Sequence, residues 1–368
     1  MTAAMDDTAE VSDEDARELL VDLVSLPSPS GEESDAAQRL VEFFAANGRE
    51  ARIDEVGNVR APADDSVLLT SHIDTVPGEI PVEVRPASGE DVEVGVADEE
   101  GEDVLWGRGS VDATGPLAAM AVAAARTGVS FVGVVGEETD SRGARHLVAD
   151  RAEPGAVVNG EPSGTTGITL GYRGFLAGTY VATSESGHTS RPEPNAIQHA
   201  TGWWNGVEDA FETDEYTPVF EGVTAKPVDI DGGISADGLS VEATLEVQLR
   251  IPPSLDAESV RETAEAGLEI GTVTWAEPIP PVMESPRTEV ARAFRVAIRA
   301  EAGDPRLLRK TGTSDMNLYA ADWDCPMVTY GPGNSELDHA PDERLSLAEF
   351  DRSVAVLTRV ASEMVRET

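Results

Sequence analysis

At 368 residues with 40% hydrophobic side chains, the chain is long enough for two folded domains and too apolar for a disordered one. Its 69 acidic against 27 basic groups give a formal charge of −42, which excludes nucleic acid as a partner because phosphate contacts need the opposite sign. No apolar run reaches the ~18 residues of a membrane span. The single cysteine, Cys325, excludes an internal disulfide and fits a reducing compartment.

The stretch from Met1 to Asp15 is acidic and lacks the basic-then-apolar layout of a secretory signal, so a cytoplasmic location is expected. Acid is spread along the whole chain, whereas a surface for a basic partner would cluster it. Basic residues are almost all arginine, with Lys226 and Lys310 the only lysines. This spread is expected of a salt-loaded cytoplasm, as in a halophilic microbe, where a Debye length of ~3 Å at 1 M screens self-repulsion of the fold.

In chain order, residues 13–25 space Leu19, Leu20, Leu23 and Val24 as one helical face behind an acidic first turn, and Pro27, Pro29 and Gly31 end it. Residues 35–46 form a second helix, stopped by Asn47-Gly48. A strand near 51–55, a turn at Gly57-Asn58 and an apolar strand into His72 follow. An alanine-rich helix over 116–126 opens after Asp112, with Pro116 in its first turn. A strand then leads to Glu137, a helix passes through His146, and another strand leads to Asn159. Strands alternating with helices predict βαβ units and a mostly parallel central sheet, an α/β fold.

After Gly167 the texture changes. Residues 168–184 alternate as a strand, 195–211 read as a helix, 239–251 as a strand, 256–266 as a helix and 271–276 as a strand. This β-α-β-α-β order predicts a separate α+β domain inserted into the first. Its polar strand faces leave edges to be covered, so pairing with another subunit is expected. A helix over 289–302 and the return over 310–342 complete the main domain. The expected organisation is a main domain in two parts, 1–165 and 276–368, around an inserted domain at 166–275.

Seven side chains fall in an order that suits a pair of divalent ions: His72, Asp74, Asp112, Glu137, Glu138, Glu161 and His339. Three apolar runs end in them: Leu68–Ser71 in His72, Phe131–Gly136 in Glu137-Glu138, and Ala156–Gly160 in Glu161. In open α/β sheets the C-terminal strand edge is where sites are built. A two-metal site holds its ions ~3.5–4 Å apart, so one carboxylate must bridge. Asp112, on the glycine-rich turn Gly107–Ser110, is the candidate bridge. Asp74, two residues past His72, is placed to hydrogen-bond that imidazole and fix its tautomer. One of the adjacent glutamates can bind metal while the other moves a proton. Any single carboxylate in so acidic a chain is ordinarily a solvated surface charge, so the weight lies on the convergence. The other helical histidines, His146 and His199, read as structural. The glycine-rich stretch 107–115 lacks the Lys-Ser/Thr ending of a phosphate loop.

The segments SHIDTVPG, LWGRGSVDATGPLAAM, GEETDSRGA, NGEPSG and LDHAPDE resemble, in order, the motifs of the M20 metallopeptidase family, and the match runs from about residue 13 to the end. The resemblance implies a catalytic domain with two zinc or cobalt ions and an inserted, ferredoxin-like lid through which the chain dimerises. It implies that His72, Asp112 and Glu161 hold one ion and Asp112, Glu138 and His339 the other. Asp74 would support His72, and Glu137 would be the general acid/base. His188, in SGHTS, matches a histidine that reaches the tetrahedral oxyanion, where a donor is worth ~3 kcal/mol. Arg250, in LRIP, matches an arginine for the substrate carboxylate. Asn195 and Gly312–Asp315 resemble further substrate-side motifs.

Within the family, SHIDTVPGEIPVEV, NGEPSGTTGITLGYRG and KTGTSDMNLYA are most similar to hydrolases that release lysine or ornithine from the C-terminal glutamate side chain of an acidic amino-group carrier protein, in lysine and arginine biosynthesis. Glu161, where many relatives have Asp, and a short loop between His72 and Asp112 agree with that branch. Lys310 would pair with a carrier glutamate. With the acidic composition, the resemblance points to a halophilic archaeon. The alternatives are a small-molecule deacylase or dipeptidase with the same metals, such as an acetylornithine deacetylase or succinyl-diaminopimelate desuccinylase, and a non-catalytic binding protein on the same fold.

Overall fold

A computed structural model describes residues 11–367, so most of the acidic N-terminal stretch lies outside it. The described chain forms two compact units: one runs up to Leu170 and takes in Glu284–Leu308 and the chain from Leu318 onward; the other is Gly171–Met283 with Arg309–Asn317.

In the first unit, Ser12 caps the helix Asp13–Val24, accepting from Asp15 N while the Asp15 carboxylate accepts from Ser12 N. Leu19, Leu20, Leu23 and Val24 form its buried face. The helix Thr114–Thr127 is buried on every side from Thr114 to Ala124, which its alanines allow, and Gly128 ends it in a left-handed turn. Behind these helices lies a sheet whose centre is parallel. Asp64–His72 is flanked by Val129–Val134 on one side and Val157–Gly160 on the other, and Met327–Thr329 continues the parallel run. Val59–Ala61 pairs antiparallel with Val129–Val134 at one end, and Thr329 meets Thr169 antiparallel at the other. His72 stands opposite Val134 and Ser71 opposite Gly160, so the three strands end side by side, with His72 at the end of one, Glu161 just past another and Glu137 three residues past the third.

The segment between His72 and Asp112, expected to be a short loop, carries structure of its own. Strands Glu83–Pro86 and Asp103–Trp106 flank a small helix, Gly89–Glu93, and pair antiparallel with each other, and Asp103–Trp106 also pairs antiparallel with Arg344–Ser346. The guanidiniums of Arg85 and Arg344 lie 3.7 and 4.6 Å from the Trp106 ring centre, a cation–π brace just before the Asp112 loop. Each strand is only four residues long and the first is exposed throughout, too little for a pattern to stand out in sequence.

The second unit has a four-stranded antiparallel sheet and two helices in the order β-α-β-β-α-β: Gly174–Glu185, Ala196–Ala210, Thr224–Ile234, Ser240–Ile251, Ala257–Glu265 and Thr272–Trp275. In space the second of these strands lies at one edge, followed by the third, the first and the fourth, the ferredoxin-like arrangement. The expectation of β-α-β-α-β missed Thr224–Ile234. No residue of that strand is buried, so it lacks the alternation that betrays a half-buried strand. The single strand expected over 168–184 is instead two, Gly167–Tyr172 and Gly174–Glu185, broken at Arg173. The core of this unit is Leu176, Tyr180, Trp203, Leu245, Val247 and Leu249, with Tyr180 and Trp203 stacked at 4.8 Å. No helix among the described residues is long and apolar enough to cross a membrane.

Candidate metal centre

The strand Asp64–His72 delivers His72 at its last residue, wholly enclosed, with Nε2 3.1 Å from Asp112 Oδ1. Asp112 offers its other oxygen to His339, whose Nε2 is 3.2 Å from Oδ2. The same Nε2 lies 3.1 Å from Glu138. Asp112 thus stands between two imidazoles, one on each oxygen, as a bridging carboxylate must. His72, Asp112 and Glu138 each place a ligand atom within 4.8 Å of the others'. His339 enters from a loop in the left-handed region, φ 60°, and remains half exposed.

The loop before Asp112 folds back tightly on the helix that follows. Gly109 has φ +82°, and a Cβ on Gly115 would lie 2.4 Å from Ser110 O, so both positions require glycine. The Asp112–Ala113 peptide bond is cis.

Electrostatics identify what the cluster wants. Burial opposes protonation of His72, but its hydrogen bond to Asp112 and the charges of Glu161, Asp112 and Glu137 outweigh burial and hold the imidazole well above its ordinary pKa. The hydrogen bond to Asp112, against partial burial and with the charge of Glu138, lifts His339 to about 9. Burial raises Asp112, yet the hydrogen bonds from His339 and His72 overcome it and keep the carboxyl far below its usual range. Burial, then the charge of Asp112, pushes Glu138 up. Crowded carboxylates here favour the protonated form of both imidazoles. A divalent cation neutralises the same carboxylates and takes the imidazoles as ligands once those protons leave, so the donor set fits metal ions.

Asp74 departs from expectation. His72 Nδ1 lies 2.8 Å from the Asp74 backbone carbonyl, while the nearer carboxylate oxygen is 3.7 Å away, beyond hydrogen-bond reach. Nδ1 of His72 thus faces the main chain and not the carboxylate. The Asp74 carboxylate, fully buried, instead accepts from Glu137 N and Glu138 N, each at 3.1 Å, and from Ser30 Oγ at 2.6 Å. It therefore fixes the turn that carries both glutamates. Sequence reading also missed Glu343. Its buried carboxylate accepts from Gly109, Val111 and Asp112 N–H groups at 2.8–3.1 Å and from Arg108 at 2.8 Å. The only signal was its place in the LDHAPDE segment.

The remaining candidates belong to the second unit. Arg250, on strand Ser240–Ile251, stacks over Phe175 at 4.6 Å and donates to Thr313 Oγ1 at 3.3 Å. Burial lowers its pKa, and no carboxylate lies within ion-pair distance among the described residues. His188 is exposed, with Nδ1 2.8 Å from Ser190 Oγ. Asn195 is committed locally: its side chain accepts from Gln198 N as the N-cap of helix Ala196–Ala210. Lys310 closes the strand Arg306–Lys310, half buried.

The chain is 40% identical to the LysW-lysine hydrolase of Deinococcus radiodurans, over 95% of this chain and 97% of that one. It is 30% identical to the LysW-lysine/LysW-ornithine hydrolase of Sulfurisphaera tokodaii, over 93% of each. Its fold is that of a tripeptidase from Staphylococcus aureus, with TM-score 0.75, 20% identity and coverage of 97% and 100%. The model of Peptidase family M20/M25/M40 matches residues 68–363, and the chain belongs to that family.

Proposed function

We propose that this hydrolase of amide bonds releases lysine or ornithine from the C-terminal glutamate side chain of an amino-group carrier protein, with two divalent ions, zinc or cobalt, in the centre described above. The observation that carries the substrate is likeness over nearly the whole chain to two hydrolases named for that carrier, one at 40% identity. His72, Asp112 and Glu161 would hold one ion, and Asp112, Glu138 and His339 the other. When bound, the ions would polarise the amide carbonyl and lower the pKa of the attacking water, the source of the proton, to about 7.

The chain's own residues do the rest. Glu137 accepts a proton as the carbonyl is attacked and returns it to the departing α-amino group. Its backbone N–H, pinned by Asp74, keeps that carboxylate from drifting with its turn. Arg250, stacked and with no anionic partner among the described residues, receives a substrate carboxylate through its planar fork. His188 donates to the developing oxyanion, and Lys310 pairs with a carboxylate of the acidic carrier.

The second unit's edge strand Thr224–Ile234 exposes Val228, Ile230 and Ile234, which supports pairing with a second copy. The charge of −42 supports a cytoplasmic protein of a salt-rich cell, a halophilic archaeon. The test is turnover of carrier-linked lysine and ornithine beside acetylornithine and a dipeptide, in molar salt with zinc or cobalt. Carrier-linked substrate should lead by at least tenfold in kcat/KM. Equal or faster cleavage of acetylornithine would replace the carrier reading with a small-molecule deacylase.

A further inference from the structure

The Asp112 loop has an unusual anchor. Between Trp106 and the helix Thr114–Thr127 the chain leaves regular structure, so its N–H groups have no ladder to join and must be satisfied some other way. One side chain serves three of them. Glu343 Oε1 accepts from Val111 N at 2.8 Å and Asp112 N at 3.0 Å, while Oε2 accepts from Gly109 N at 3.1 Å and Arg108 Nη1 at 2.8 Å. The residue is 0% exposed, and its own carbonyl accepts from Gly107 N. Glu343 lies four residues beyond His339 and directly before the strand Arg344–Ser346, whose Arg344 is tied to Asp91 at 2.6 Å. One short segment therefore carries His339 and also holds the backbone of Asp112.

That grip matters because Asp112 must offer an oxygen to each of two imidazoles at 3.1 and 3.2 Å. A displacement of a few tenths of an ångström at its Cα would take it off one of them. We propose that Glu343 is the positioning residue of Asp112: it sets where that carboxylate sits between His72 and His339, and thereby sets the affinity of the centre for metal. The proposal rests on the metal reading of the site.

The substitution Glu343→Gln tests it sharply. Each carboxylate oxygen takes two donors, so whichever way the amide sits, its NH2 faces two donors and loses both bonds. Co2+ titration of the metal-free protein, followed by calorimetry and by the visible absorption of bound cobalt, should show about 10–100-fold weaker binding and a changed spectrum. Glu349→Gln is the control, because Glu349 is a carboxylate of the same unit that accepts from Gly333 N at 3.0 Å and touches none of the candidate ligands in that bond. It should bind Co2+ within threefold of wild type, whatever it does to the melting temperature.

Wild-type affinity and spectrum in Glu343→Gln would overturn the proposal, as would an equal loss in Glu349→Gln. If Glu343→Gln does not fold, Arg108→Leu removes one donor and leaves the three backbone bonds. A several-fold loss of Co2+ affinity there supports the proposal, and unchanged affinity overturns it. Failure of the wild-type protein to bind Co2+ would overturn the metal reading itself, and this proposal with it.

Discussion

Two regions of the first unit meet at the candidate centre and hold their side chains by different means. On one side His72 and Glu161 leave the ends of adjacent parallel strands, where ladder hydrogen bonds already fix the backbone. On the other, Asp112 and His339 leave irregular loops, one hung on the Glu343 carboxylate and the other in the left-handed region at φ 60°. Regular structure places a ligand without a dedicated anchor, whereas a loop ligand needs a buried polar group to answer its free N–H groups. The turn carrying the two glutamates lies between these extremes, starting just past a strand yet held by Asp74.

Substitutions can break or sharpen this contrast. The largest effect is expected for Glu137→Gln, which should cut kcat by about 10²–10⁴-fold while the bound metal measured in the same preparation stays unchanged. Near-normal turnover with full metal would remove Glu137 from proton transfer. Next, Asp74→Asn keeps an oxygen for one of the two glutamate N–H groups and should lower kcat by about 10–100-fold. Because His72 leans on a main-chain carbonyl, its share in metal binding should survive the change. A loss confined to metal affinity would return Asp74 to the role of orienting His72.

The pH dependence probes the loop side. His339 is raised to about 9, so below that pH a proton competes with any ion for its Nε2. Metal affinity of the metal-free protein should therefore climb as pH rises towards 9, by about tenfold per unit for each proton released, His72 adding to His339. Calorimetry at constant salt checks this, and an affinity flat between pH 7 and 9 would show His339 outside the centre. The smallest effect is expected in the second unit. Asn195→Ala removes a helix cap and should cost about 1 kcal/mol in denaturant unfolding. A tenfold fall in kcat/KM beside it would make Asn195 a substrate ligand as well.

The strand side was legible in sequence because apolar runs that end in His or Glu carry both their secondary structure and their placement. The loop side was legible only as motif: nothing in periodicity says that Asp112 and His339, 227 positions apart, share a carboxylate cluster. Glu343 was unreadable, since one acid among 69 gives no hint of burial. Asp74 was placed correctly beside His72 but assigned the wrong hydrogen bonds, because spacing of two residues fixes neighbourhood and not which atom answers the imidazole. The exposed strand Thr224–Ile234 escaped for the opposite reason, having no buried face to pattern.

The most direct measurement titrates the metal-free wild-type protein and its Asp112→Ala variant with Zn2+ in molar salt, counting ions bound per chain. If strand and loop sides build one centre around a bridging Asp112, wild type takes two ions and the variant loses affinity at both sites together. A single ion in wild type, or one site left untouched in Asp112→Ala, would contradict the shared centre.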